Sequence, residues 1–238
     1  MRIRDMNWMH VEALLRAGED RAVLPLGSIE QHAYLSLAVD ALLAEAVAVE
    51  ACEPLGVPVF PAQPYAYTPT YMAYPGTMTL RLSTLLAVLT DLIESLHHHG
   101  FRRVLVVNGH GGNNGASSVL QELQARLPGM QLRWYNWWAA PRTMAFVREQ
   151  DKDASHASWM EAFAVTRLAG VQMPATPKAP VDPARMALMD PAAKRAYLGD
   201  GCYAGRYEVP QDVTDRLWSI AVEETREAVN GPWLEAAA

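Results

Sequence analysis

Val104-Leu105-Val106-Val107-Asn108-Gly109-His110-Gly111-Gly112-Asn113 is the stretch on which the fold turns. Four successive apolar residues with no polar face suit a strand covered on both sides, as a central strand of a parallel sheet is. The polar, glycine-rich run behind them ends the strand and places a loop at its carboxyl end. Upstream, residues 83–99 carry Leu85, Leu86, Leu89, Leu92, Ile93 and Leu96 at helical spacing, with Gly100 as the stop. Downstream, residues 114–127 read as the next helix and 131–134 as another strand.

The same alternation extends to both ends. Residues 22–27 have the length of a buried strand, Asp40 opens a helix over 41–51, and 57–60 reads as a second strand ahead of a Pro/Tyr-rich loop at 61–77. Residues 159–169 read as a helix, 174–191 as a proline-rich region and 213–229 as a final helix. Strands alternating with helices imply right-handed crossovers, so the fold expected is α/β: a single three-layer α/β/α domain over 1–238 with a mostly parallel central sheet. Residues 174–205 form the one long stretch without a strong pattern, which marks a functional or partner-facing loop.

Composition narrows the function classes. The 238 residues are 50% hydrophobic and 19% charged, with a net charge of −6. A chain of this length can bury a core without staples, and its mild acidity gives no electrostatic basis for nucleic acid or an anionic membrane surface. Two cysteines, Cys52 and Cys202, suit a reduced compartment better than a disulfide framework. The first ten residues lack a signal-peptide pattern, and no stretch approaches 18 uninterrupted apolar residues. The expectation is a soluble cytoplasmic protein.

Ligands of open α/β sheets bind beyond the carboxyl ends of the strands, and here those positions are polar. Gly27-Ser28-Ile29-Glu30-Gln31-His32 follows the first strand, with Asp40 beyond it, and the glycine-rich loop carries His110. Glu30 and His32, two apart, share a face in an extended segment. Carboxylates and imidazoles together suit Zn²⁺, Mn²⁺ or Fe²⁺. The glycines around His110, Gly111 among them, let backbone N–H groups approach a substrate oxygen. Each residue also has a plainer reading: Asp40 as a helix N-cap, His110 as turn chemistry, Glu30 as a surface charge. His97-His98-His99 reads as imidazoles opposing a helix dipole, and Cys202 as incidental. Trp134, Trp137 and Trp138 divide between core and substrate wall.

These motifs resemble the creatininase family. The resemblance rests on Leu26-Gly27-Ser28-Ile29-Glu30-Gln31-His32 with Asp40, on Tyr74-Pro75-Gly76-Thr77, on Asn108-Gly109-His110-Gly111-Gly112-Asn113, and on His156 followed by Glu161. It implies a metal-dependent hydrolase that opens the amide bond of a small or cyclic substrate at a two-metal site. Glu30, Asp40 and His110 would hold one ion, and His32 with Asp40 the second. Gly112 stands where the family's namesake has a further glutamate ligand, and Glu161 is the candidate to complete the set of ligands around the second ion. The segment after His32 is a residue shorter than the family pattern and lacks its second histidine. His156-Ala157-Ser158 and Glu161-Ala162-Phe163 also depart from the usual late motif.

The resemblance further implies a water activated between the ions, an oxyanion held near Gly111, and His156 as proton shuttle. Five residues separate His156 from Glu161, more than one helical turn, so the two need not share an ion; a structural histidine capping the 159–169 helix is the rival role. Tyr74, Gly111, Trp137 and Trp138 are the candidate substrate contacts. A homo-oligomer, a hexamer by resemblance, is expected through 61–74 or 174–205. The alternatives are a peptidase maturing a peptide precursor, which the same group also contains, and an inactive metal-binding oligomeric scaffold.

Overall fold

The computed structural model describes residues 1–234; the last four positions of the expected domain, 235–238, lie outside the described residues. Three parallel strands, β1 (Arg21–Leu26), β2 (Arg103–Asn108) and β3 (Gln131–Asn136), lie side by side in that order. β2 is central, with Val104 level with Ala22 on one side and Leu132 on the other. The helices are α1 (Trp8–Arg16), α2 (Val39–Cys52), α3 (Leu82–His99), α4 (Val119–Arg126), α5 (Pro141–Gln150), α6 (Pro183–Ala187), α7 (Pro191–Leu198) and α8 (Gln211–Asn230).

Alternate strand residues feed two separate cores, which is what an unbroken apolar strand requires. Val23, Leu105 and Val107 pack beneath α2 and α8 with Trp137, Trp159 and Leu217. Ala22, Leu24, Leu26, Val104 and Val106 pack on the opposite face against Leu85, Leu89 and Ile93 of α3 and Leu120 and Leu123 of α4. Helix, sheet, helix is therefore the layer order, as expected.

Four local expectations change. Residues 57–60 form no strand: Val59 makes only isolated bridges. The run 58–63 nevertheless follows β1, with Val23 N–H donating to Pro58 O, Phe60 N–H to Val23 O, Gln63 N–H to Pro25 O and Gly27 N–H to Gln63 O. Pro58, Pro61 and Pro64 lack the N–H groups a regular ladder needs. Residues 159–169 form one 3-10 turn (Trp159–Glu161) and then turns, because Thr166 Oγ1 spends its hydrogen on the Glu161 and Phe163 carbonyls instead of supporting a helix. The 114–127 helix begins as a 3-10 stretch (Gly111–Ser118) before α4. The 174–205 stretch contains α6 and α7, each started by an aspartate, Asp182 and Asp190, with proline next.

Two glycines bring the sheet and α2 together. A Cβ on Gly27 would stand 2.3 Å from Ala41 Cα, and one on Gly109 2.3 Å from the Asp40 carbonyl oxygen. Only glycine lets the ends of β1 and β2 abut the first turn of α2, and that turn carries Asp40. No helix among the described residues is long and apolar enough to cross a membrane.

Candidate metal centre

Asp40 lies in the first turn of α2, but its side chain caps nothing there. Its Oδ2 accepts from Ser28 Oγ at 2.7 Å and faces His110 Nδ1 at 2.9 Å, while Oδ1 faces His32 Nε2 at 3.0 Å. The N-cap reading is thereby replaced: the carboxylate stands between two imidazoles. Each imidazole is anchored from behind by a backbone carbonyl, His32 Nδ1 by Glu30 O at 3.1 Å and His110 Nε2 by Tyr67 O at 3.2 Å. Since a carbonyl only accepts, the remote nitrogen carries a hydrogen, and the near nitrogen is the one that faces Asp40 and would ligate an ion once its own proton is displaced. His32 Nε2 has no hydrogen-bond partner among the described residues.

Glu30 completes one side. It is 1% exposed, takes a hydrogen bond from Thr68 Oγ1, and approaches His110 Nε2 at 3.5 Å. Glu161 completes the other, with Oε2 4.0 Å from His32 Nε2 and held by the Ala157 N–H at 2.6 Å. Ala157 adopts φ +61°, a left-handed conformation that turns this N–H toward the carboxylate. Ligand atoms of Glu30, Asp40 and His110, and of His32, Asp40 and Glu161, each lie within 4.8 Å of one another and could hold an ion. A third set, Glu30, His32 and His156, meets the same limit. The His97–His99 run belongs to none of these sets and ends α3 before Gly100.

The electrostatics call for positive charge. Burial alone would pull His32 and His110 down. Asp40 outweighs burial at His32, and Glu30 with Asp40 does so at His110, raising them to about 10 and about 9. Burial pushes Glu30 and Glu161 up, while the two imidazoles hold Asp40 well below the usual carboxylate range against its own burial. A buried group of three carboxylates and two imidazoles is the environment a divalent ion neutralises.

His156 stands beside this cluster. Its ring stacks on Tyr71 at 5.5 Å and lies 4.5 Å from that of His32. Nδ1 is 3.8 Å from Glu30 Oε1, and Nε2 is 2.9 Å from Gln31 Nε2. Burial, then the neighbouring His32, lowers its pKa well below the ordinary value. The helix it was expected to cap is absent, which removes the rival role.

A cavity of about 540 Å³ opens from the cluster, walled by Tyr67, Tyr71, Trp138, Met144, Met160 and Tyr203. Gly111 and Trp138, two of the candidate substrate contacts, line it side by side. Trp137 does not: it is 2% exposed and packs in the core against Trp218. Tyr74 also lies outside the lining; its hydroxyl donates to Gly199 O at 3.3 Å and its ring backs Tyr71. Cys202 is buried, its thiol pushed up to about 12 by burial, and unreactive. Sequence reasoning quoted Asn113 in the glycine-rich motif without a role; its amide donates to Gly27 O and Asn108 Oδ1 and accepts from Tyr67 N–H, tying the two loops together. Sequence reasoning missed Thr68, Tyr71, Tyr203 and Lys194, which lie where no motif marks them.

The family model for creatininase, described as creatinine amidohydrolase, matches residues 4–229. A creatinine amidohydrolase from Pseudomonas putida is 34% identical over 62% of this chain and 61% of its own length. A mycofactocin precursor peptide peptidase from Mycolicibacterium smegmatis is 32% identical over 47% of each. The matched region thus spans less than two thirds of either relative. Two solved structures, a creatininase and a creatininase variant of Zn-Zn type, are each 25% identical and cover 96% of both chains, with TM-scores of 0.76 and 0.74.

Proposed function

Because this chain belongs to the creatininase family, we propose that it is a metal-dependent hydrolase that cleaves the C–N bond of a small or cyclic amide. The observation that carries this reading is the pair of imidazole nitrogens turned on one shared carboxylate, each with its far nitrogen tied to a carbonyl. Backed in this way, a histidine is set to ligate a metal. Glu30, Asp40 and His110 would hold one divalent ion and His32, Asp40 and Glu161 the other, with zinc, manganese and iron all suited to mixed oxygen and nitrogen donors. A Cβ at position 112 would meet His110 Nε2 at 2.4 Å and Tyr67 O at 2.5 Å. The backing of His110 therefore excludes a ligand from there and leaves the role to Glu161.

When bound, such ions supply Lewis acidity toward a carbonyl and make water acidic enough to attack near neutral pH. The chain's own groups do the rest. Gly111, without a side chain, leaves its N–H open to the developing oxyanion. Trp138 and the tyrosine wall exclude solvent. His156 is kept neutral between turnovers by burial, so a proton it takes up is readily given to the leaving nitrogen.

A second reading, cleavage within a peptide, is supported by the likeness to the mycofactocin precursor peptidase and by the breadth of the cavity, whose outer wall comes from residues in 183–203. Retention of His156 beside the ligands counts against an inactive scaffold. We further place the protein in the cytoplasm, where its two free buried cysteines stay reduced. We take 1–238 as one domain and propose a hexamer, since Tyr65, Met72 and Leu188 expose apolar surface in the segments expected to meet partners.

The test is metal analysis of the purified protein, then a screen of cyclic and linear amides with Zn²⁺, Mn²⁺ or Fe²⁺ restored. Two ions per chain and metal-dependent release of a carboxylate product are expected. Absence of bound metal together with no turnover under any restoration overturns the reading.

A further inference from the structure

The cavity has a second charged feature. Lys194, in α7, lines it and is 8% exposed. Its ammonium has no hydrogen-bond acceptor and no carboxylate within 4.0 Å among the described residues and keeps some contact with solvent, while partial burial lowers its pKa with no charged neighbour to offset the effect. Other cations of this region are engaged. Lys178 Nζ donates to Leu198 O and Asp200, Arg195 donates to Ala73 O and lies over the Tyr74 ring, and Arg148, at the cavity rim, donates to the Lys152 carbonyl. Lysines are seldom buried without a partner, because desolvating the ammonium is unfavourable. The acids that line the cavity, Glu30, Asp40 and Glu161, are committed to the metal cluster.

We propose that the substrate is an anionic amide whose carboxylate, separate from the scissile carbonyl, is received by Lys194. The assignment rests on the hydrolase reading for which bond is broken, but not for the anion contact itself. One cavity then carries two complementary features: a carboxylate cluster that takes cations and the reacting carbonyl, and an ammonium that takes the substrate's other, negative group. Arg148, exposed at the rim, adds to the attraction on entry. A neutral amide would leave Lys194 desolvated and unpaired, so charge selects the substrate.

The experiment uses the manganese-loaded protein with matched probes, the monoamides succinamate, glutaramate and adipamate against their neutral diamides, and pyroglutamate against pyroglutamate amide. Calorimetric binding and hydrolysis are both recorded. In the wild type at least one carboxylate probe is expected to bind about tenfold or more tightly than its neutral counterpart. Lys194→Gln should erase that preference, chiefly through KM, and Lys194→Arg should retain most of it. Metal content should be equal in all three proteins. Lys194→Met serves as a second charge-free variant, and both charge-free proteins should melt close to the wild-type temperature, which separates loss of the charge from loss of the fold.

If the preference survives in both charge-free variants, the carboxylate is binding the metals and the proposal is overturned. The proposal is overturned equally if no pair is distinguished by the wild type; hydrolysis of the neutral amides would then leave the hydrolase reading standing. If the Lys194-dependent preference is present but no amide is hydrolysed, the anion site stands and the hydrolase reading falls.

Discussion

Asp40 offers one oxygen to His32 and the other to His110. Asp40→Ala should accordingly lower bound metal from two ions per chain toward none, whereas Glu161→Gln should spare the ion held by Glu30 and His110; elemental analysis of the dialysed proteins distinguishes the two. Retention of both ions by Asp40→Ala would remove it as the shared ligand. His156→Ala should keep the metal and the fold while turnover drops about 10²–10⁴-fold, and single-turnover rates on any substrate found in the screen check this. The five ligand candidates were legible because carboxylates and imidazoles collect at strand ends, where chance seldom places them. Lys194 was not, since one lysine in a patternless stretch reads as solvated. Trp137 and Trp138 are neighbours in sequence, and apolar character alone does not say which faces the core.

At the level of elements, the approach of α2 to the strand ends makes a strong prediction. Gly109→Ala puts a methyl group against the Asp40 carbonyl, so the first turn of α2 must shift; stability should fall by about 1–3 kcal/mol and metal content with it, read by thermal melts and elemental analysis. Loss of stability with full metal occupancy would show that the turn is not what positions Asp40. The entry to β1 predicts a pH dependence. Burial would raise Glu19, but the hydrogen bonds from Arg21 and the charge of Arg103 outweigh it and hold the carboxyl below its ordinary 4.5. A pKa depressed by folding contributes stability that is complete above the unfolded value and is lost as pH falls through the folded one. Glu19→Gln should therefore lower stability at pH 7 by up to about 1 kcal/mol, a gap that closes as melts are run further below pH 4.5. The central strand and the long helices were readable from periodicity. The 57–60 strand misled because its apolar pattern is right, while Pro58 within it and Pro61 just after it lack the N–H groups that a regular ladder would use. The unforeseen α5 carries its signal in Pro141 at its first turn, without a strong apolar stripe.

For the whole molecule, light scattering at micromolar concentration should give a mass several times the 26.3 kDa of one chain, and a monomer would end the oligomer proposal. Leu188→Glu, on a side chain 90% exposed, should shift that mass downward if the α6 region meets a partner, with little effect on the melting of the isolated chain. How copies meet is constrained by the run 58–63. It takes up the outward N–H groups of Val23 in β1 and of Gly27 just beyond it, its own backbone lacks donors at Pro58, Pro61 and Pro64, and on its far side Val59 donates to Met1 O and accepts from Ile3 N–H. A second chain arriving at that edge finds the Val59 backbone groups taken by residues 1–3 and no N–H at the prolines on either side. The proline run and residues 1–3 thus work together against templated aggregation: on this side the backbone groups of Val59 that a neighbouring strand would need are already taken within the chain, and copies of this protein are expected to join there through side chains.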